Sequence, residues 1–376
     1  MTQITKSQAR RIWLRAQRLD EAAPFGDGPA ATRAAVEHLG YVQIDTINVV
    51  ERCHHQILYT RIPAYRRADL HQAQAIDKTV FEYWTHALSY VPTCDLRLYV
   101  RAMKQDWQAR SAWFGVVKQE DLRKVLTRIR KRGALTIRDI DDDVLTEKDH
   151  EWASRKPSKR ALQLAFYQGV LTVSQRSGML KTYELMTRHF GWQRLPRAAS
   201  EREFLDYLLD RALRSQGAVS MESVCFANPR RKPAIRRLIE SRVRRKELVP
   251  VAIEGSAMGY WVRPSTLEAG LDAGERVHIL SPFDPLVHQR KRLHLFFGYE
   301  HRFEAYVPKN KRVFGYFAQP VLVGDEIAAV VDLKTDRVRR KLLLQQWTWV
   351  SKHSRRLRKR QIEEALHCFE RFQLAQ

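Results

Sequence analysis

Cysteine is scarce in this chain and badly spaced for chemistry. There are four, Cys53, Cys94, Cys225 and Cys368, and none forms a Cys-x-x-Cys pair. That spacing excludes a zinc ribbon or a thioredoxin-like site, and the Cys/His spacing of zinc fingers and zinc deaminases is missing too. Four reduced thiols in a cytoplasmic protein are the expectation. Long apolar runs are also absent: nothing approaches the ~18–20 uncharged apolar residues of a membrane span. The opening MTQITKSQARRIWLRAQRLDEAAP lacks the apolar core of a signal peptide. The expected location is therefore cytoplasmic and nucleoid-associated, with no membrane partner. Negative charge is short as well. Asp plus Glu number 42 against 66 Lys plus Arg, a formal charge of +24 over 376 residues. A protein this basic usually meets a polyanion, most commonly nucleic acid. Aromatic content of 10% argues against disorder.

Several catalytic signatures are lacking. There is no Walker A sequence, no His-Glu-x-x-His and no Gly-x-Ser-x-Gly elbow. The run Gly26–Ala31 (GDGPAA) fits a loose dinucleotide pattern, but it follows a helix rather than a strand and no βαβ unit surrounds it.

What is present is a repeat. One copy runs from VVKQEDLRKVLTRIRKRGALTIRDI to KPSKRALQLAFYQGVLTVSQRSGMLKTYEL, the other from EREFLDYLLDRALRSQGAVSMESV to RKPAIRRLIESRVRRKELVPVAIEGSAMGYWVRP. Each opens with a helix apolar at helical spacing (Leu122, Val125, Leu126, Ile129; Phe204, Leu208, Leu209, Leu213) and stops at a glycine, Gly133 or Gly217. A short helix capped near Thr136 or Ser220 follows, then a basic helix, Lys159 to Gln168 or Pro233 to Arg245. Two strands around a Gly-containing turn close each copy: 170–175 with 180–184, and 248–253 with 259–263. Three helices and a two-stranded wing make a winged helix-turn-helix, whose third helix normally enters the major groove.

The N-terminal region is a looser version. It has helices over about Lys6 to Leu19 (cap Thr5) and Pro29 to Leu39, the latter ended by Gly40. YVQIDTINVV then changes period, with Val42 and Ile44 on one side and Gln43 and Asp45 on the other. A helix with two histidines (ERCHHQILYTR) follows, and VFEYWTHALSYVP can supply strands. After about Val277, VHILSPFDPLV, RFEAYVP, RVFGYFAQPVLVGDEIAAVVDLKTD and KLLLQQWTWV read as strands, Val-Gly-Asp-Glu as a hairpin turn, Val287 to Phe297 as a basic helix and Arg355 to Phe372 as a final helix. The charge run KHSRRLRKR reads equally as a solvated helix start or a phosphate contact. The expected fold is mainly α with β: tandem winged helix-turn-helix domains followed by a small C-terminal β-barrel-like domain. The expected segments are 1–115, carrying the Gln-Ile-Asp motif, then 116–198, 199–272 and 273–376.

Gln43-Ile44-Asp45 is the informative tripeptide. Side chains two apart on an extended strand share a face, so an amide and a carboxylate would stand together. The amide can orient water; the carboxylate can stabilise a cation or take a proton from water. The plainer reading is a polar pair making local hydrogen bonds at a strand end. His54, His55 and His86 raise the question of a metal, but adjacent helical histidines point ~100° apart and rarely share an ion. No metal or other cofactor is expected. Tyr83, Trp84, Trp107 and Trp113 can stack on bases, though ordinary core roles are commoner.

Together, LGYVQIDTINVV, FEYWTHALSYVPTCDLRL, KPSKRALQLAFYQGVLTV, ILSPFDPLVHQRKR and RFEAYVPKNKRVFGYFAQPVL resemble the YcaQ/AlkZ family of DNA glycosylases, in order along most of the chain. Gln43-Ile44-Asp45 looks like the Gln-Φ-Asp, YcaQ-like branch rather than the Gln-Φ-Gln branch. The resemblance implies a fold of tandem winged helices with a β-barrel and the catalytic residues Gln43 and Asp45. It implies removal of N7-alkylated guanine and unhooking of interstrand crosslinks in double-stranded DNA. It also implies that the second winged helix and its hairpin, Val170 to Glu184, approach the lesion. TEKDHEWASRKPSKR and the middle of ERCHHQILYTR depart from the family pattern. Lys159, Arg160, Arg176, Lys181, His54, His55, Arg61 and His86 are the expected DNA contacts. No lysine is placed by motif for lyase chemistry, so a monofunctional enzyme acting as a monomer is expected. A winged-helix transcription regulator or a non-catalytic DNA-binding protein is the competing expectation; neither explains the amide–carboxylate pair.

Overall fold

The structure, a computed structural model, describes residues 2–109, 117–140, 145, 154–268, 274–351 and 355–375. Trp113, residues 146–153 of the Trp- and Lys-rich segment, residues 352–354 of the final charge run and the Trp107 side chain lie outside it. The chain divides into two compact units, one of residues 1–65 with 205–376 and one of residues 66–204. The expected boundary at residue 115 falls inside the second unit, and the first expected region is divided after Tyr65.

Local rules built the helices much as the sequence indicates. Thr5 caps the helix Lys6–Ala16 with a capping box completed by Gln8, and Gly40 ends the helix Gly28–Leu39 at φ +78°. A side chain at Gly40 would be strained by that φ, and its Cβ would collide with the Arg211 side chain. The helix Glu201–Gln216 ends before Gly217, and Ser220 caps Met221–Val224. The basic helix Lys232–Arg244 leads into the strands Val249–Ile253 and Tyr260–Val262, which pair antiparallel.

One strand was invisible in sequence. Thr2–Ile4 pairs parallel with Val249–Ile253, Thr2 opposite Val251. Ile4, Ile12 and Trp13 thereby share a core with Val251, Tyr260, Leu280, Phe296 and Leu322. The N-terminal helix is thus built into the later segments. Arg292, on the expected basic helix (Arg290–Phe297), lies in this core with its guanidinium 4.4 Å from the Trp13 ring centre, and burial pushes it down to about 10.

Val277–Ile279, Ala318–Val323, Glu326–Asp336 and Lys341–Trp349 form a four-stranded antiparallel sheet in chain order. Among the described residues the sheet is open rather than closed into a barrel. Gly324 takes φ +59° at the expected Val-Gly-Asp-Glu turn. RFEAYVP is not a strand. Glu304, 4% exposed, turns inward and accepts from the backbone N–H groups of Val313 and Phe314 at 2.9 and 2.7 Å, closing a loop instead. The helix Arg355–Leu374 ends the chain.

In the second unit, Val80–Trp84 and Leu88–Pro92 form a hairpin. The helix Gln119–Arg132 ends at Gly133, Thr136 caps the 3-10 turn Ile137–Asp139, and Pro157–Tyr167 is the basic helix. Leu171–Ser177 and Leu180–Leu185 follow as a hairpin, with the short strand Leu135–Thr136 beside the second of them. Every element of this repeat that falls on described residues is where its caps and glycines place it, within a residue or two. The architecture is mixed α and β.

Candidate active site and nucleic-acid contacts

The motif follows Gly40 directly. Val42–Gln43 is a strand of two residues, and the chain turns at Asp45. Val42, Gln43 and Ile44 are all buried, at 0%, 8% and 6% exposure, so burial does not separate Gln43 from the Val42 and Ile44 side. Asp45 is half-buried, and its Oδ1 accepts from the Ile47 N–H at 2.8 Å. The carboxylate thus holds its own turn, as Asp does in loops. Among the described residues it enters no ion pair, and its other oxygen has no hydrogen-bond partner.

The surroundings of Asp45 come from distant sequence. The Cys53 thiol donates to the Gln43 carbonyl at 3.0 Å; burial, then the Asp45 charge, pushes that thiol far up. The loop after Asp45 is stitched to the strand Glu326–Asp336. The Thr335 N–H donates to the Val49 carbonyl at 2.9 Å, and the Thr335 hydroxyl to that of Val50 at 3.1 Å. Arg337 reaches Asn48 Oδ1 and the Val50 carbonyl, both at 2.9 Å. Two buried glutamines tie the helix Cys53–Tyr59 to the same sheet: Gln56 donates to the Ile279 carbonyl and Gln319 to Gln56 Oε1, each at 3.0 Å.

A second group beside the motif carried no sequence signal except charge and aromaticity. His288 Nδ1 lies 3.2 Å from the Pro285 carbonyl, and its Nε2 lies 3.3 Å from the Tyr41 hydroxyl. A proton on Nδ1 leaves Nε2 to accept from Tyr41. Phe226, 49% exposed, meets the His288 ring edge-on at 5.1 Å, and Arg211 lies over Tyr41 at 5.5 Å. Of this group only Tyr41 is near the motif in sequence, two residues before Gln43; Arg211, Phe226 and His288 come from far along the chain.

The expected DNA contacts fare differently. Lys159 is exposed on its helix. Arg160 is only 6% exposed and donates to the Ser154 carbonyl, so it is a structural cation. Arg61 must also be withdrawn from the contact set. It is 1% exposed and grips the buried Asp284 through two nitrogens at 2.8 and 3.1 Å. His54 is buried, and His55 Nδ1 lies 2.7 Å from the Tyr65 hydroxyl; no metal-holding cluster occurs among the described residues. His86 is half-buried in its hairpin. Tyr83 is buried and donates to the Tyr167 carbonyl at 2.8 Å, whereas Trp84 is 37% exposed.

Arg176 is not free for phosphate either. It binds Glu82, itself 0% exposed, with Nη2 2.6 Å from Oε2, and Gln74 supports the same carboxylate at 3.1 Å. Burial raises the Glu82 carboxyl and the Arg176 guanidinium more than reverses this, holding it below the usual carboxylate range. Lys181 lies 5.2 Å from the Phe166 ring centre, and burial lowers its ammonium to about 8. Gln43, Asp45, His54, His55 and Arg61 belong to the first unit; His86, Lys159, Arg160, Arg176 and Lys181 belong to the second.

A mixed α/β chain with a large cationic excess, whose Asp45 carboxylate enters no ion pair among the described residues, has the charge of a protein that meets a polyanion. A family model described as DNA glycosylase AlkZ-like matches residues 36–372, and the chain belongs to that family of DNA glycosylases. Among solved structures, the Streptomyces sahachiroi DNA glycosylase AlkZ is similar at a TM-score of 0.62 and 15% identity, with 99% of this chain and 97% of that one covered. That likeness establishes the fold.

Proposed function

We propose that this glycosylase hydrolyses the N-glycosidic bond of N7-alkylated guanine in double-stranded DNA, crosslinked guanine included, through Asp45 and Gln43. One observation carries the reading: the half-buried Asp45 carboxylate keeps an oxygen unpartnered and enters no ion pair among the described residues of a strongly cationic chain. N7 alkylation makes the base a cation that departs neutral, so no acid is needed for the leaving group. The sugar is left electron-poor. A carboxylate beneath it stabilises that charge and draws a proton from the attacking water, in the logic of glycoside hydrolysis. Gln43 positions the water or the sugar. A crosslinked base stays tethered to the opposite strand and cannot swing out fully, which favours an open site over a closed base-flipping pocket.

The helix-and-hairpin groups 119–185 and 201–262 are read as winged helices that hold the duplex, with Lys159 and Lys181 as phosphate contacts and water as the sole nucleophile. Incubating the protein with DNA bearing N7-methylguanine, then treating it with alkali, should break the strand at the lesion. Intact strands at saturating protein would leave a regulator or scaffold as the better description.

Lys181 gives this reading a pH signature. Its charge is present below about 8 and lost above it, because burial favours the neutral amine; the charged groups acting on it are Glu82, Arg176 and Lys159. DNA affinity should therefore fall between pH 7 and pH 9. Lys181→Met should weaken binding at pH 7 and flatten that fall. Fluorescence anisotropy at both pH values checks it, and an unchanged profile in the variant would remove Lys181 from the contacts.

A further inference from the structure

The loop from Tyr299 to Phe317 spends buried polar groups on holding a shape. Glu304, 4% exposed, fixes the Val313 and Phe314 N–H groups, and Asp332, 7% exposed, accepts from Tyr316 and Phe317 at 2.8 and 3.0 Å. Arg312 donates to the Val307 carbonyl at 2.8 Å and lies over the Tyr316 ring at 4.9 Å. Phe303 packs against Phe283 and Phe317, with ring centres 5.1 and 6.0 Å away. Its base is therefore rigid.

The rim of the loop is the reverse. Tyr306 is 78% exposed, and the 3-10 turn Lys309–Lys311 carries two exposed lysines that enter no ion pair among the described residues. The ring meets Phe303 edge-on at 5.9 Å and is otherwise open, three residues before Lys309 in the chain. Phosphate is the partner complementary to the lysines. A nucleobase or sugar face is the partner complementary to a flat ring presented next to them.

We infer that this loop is a DNA-contacting element in which Lys309 and Lys311 take backbone phosphates and Tyr306 stacks on an adjacent base. The inference rests on DNA as the substrate, yet it concerns binding, not bond cleavage. Two kinds of substitution separate its parts. Tyr306→Ala should raise the Kd for a short lesion-bearing duplex about tenfold, as loss of one base–aromatic stack does, while Tyr306→Phe should leave it unchanged. Lys309→Ala with Lys311→Ala should lower the slope of log affinity against log salt by about 1.8, two phosphates at about 0.9 each. Tyr306→Ala should leave that slope alone. All three positions are exposed, so the unfolding midpoint should not move. An unaltered Kd in Tyr306→Ala, or an unaltered salt slope in the double lysine variant, overturns the proposal. If wild type binds duplex but never releases a base, while Tyr306→Ala weakens binding and the double lysine variant lowers the salt slope, the glycosylase reading fails and the loop stands. If wild type releases the base and the loop variants bind as tightly as it does, the loop fails alone.

Discussion

Asp45→Asn should lower the rate of N7-methylguanine release by about three orders of magnitude while leaving DNA affinity within about twofold. A unit negative charge 4 Å from a developing sugar cation is worth about 4 kcal/mol at an effective dielectric near 20, and each ~1.4 kcal/mol is a factor of ten in rate. The substitution is nearly isosteric. Its remaining oxygen still accepts from the Ile47 N–H, so the turn that Asp45 closes at 2.8 Å survives. A loss confined to the chemical step, with binding retained, marks an interaction made in the transition state. Gln43→Ala should act on the same step by a smaller factor, about tenfold, since it removes positioning and no charge. Single-turnover release and equilibrium binding, measured on the same preparation, decide the matter. Asparagine at wild-type speed would remove Asp45 from the mechanism. A loss that appears only as weaker binding would make it a docking residue.

The second large effect is on stability. Arg61→Ala should destabilise the first unit by about 3–5 kcal/mol, the usual cost of orphaning one partner of a buried ion pair. Both side chains are fully enclosed, and Arg61 also donates to the Gln17 carbonyl at 3.0 Å and Gln17 Oε1 at 2.8 Å. Removing the guanidinium leaves the Asp284 carboxylate, among the described residues, with the Leu286 N–H of its own turn at 2.9 Å. Arg61→Met combined with Asp284→Leu should recover much of the loss, because neither charge is then stranded. Urea unfolding of the single and paired variants gives the coupling. If Arg61→Ala unfolds like wild type but loses DNA, the original expectation of a surface contact returns.

Arg61 also shows where sequence reading stops. Its basic neighbourhood in ILYTRIPAYRR suits a phosphate contact, and nothing nearby announces its partner 223 residues away. Arg176 misleads for the same reason, its partner Glu82 lying 94 residues away, whereas Arg160 is held by the Ser154 carbonyl six residues back, before its helix begins. RFEAYVP alternates well enough for a strand, but the inward turn of Glu304 outweighs that pattern.

What could be read from the residues alone is what adjacent residues enforce. Thr5, Ser220, Gly40 and Gly324 act through hydrogen bonds and dihedrals within a few positions, so the helix starts, stops and hairpins follow from order in the chain. The Gln43–Asp45 motif was visible in the same way, and so was a cationic excess suited to DNA. Only the tertiary structure decided which cations remain at the surface, and that Thr335 and Arg337, nearly 300 residues on, hold the loop after Asp45. Such contacts depend on how distant segments meet. No local pattern encodes that, because closing a long loop is made favourable by the whole core and not by the two residues that finally touch.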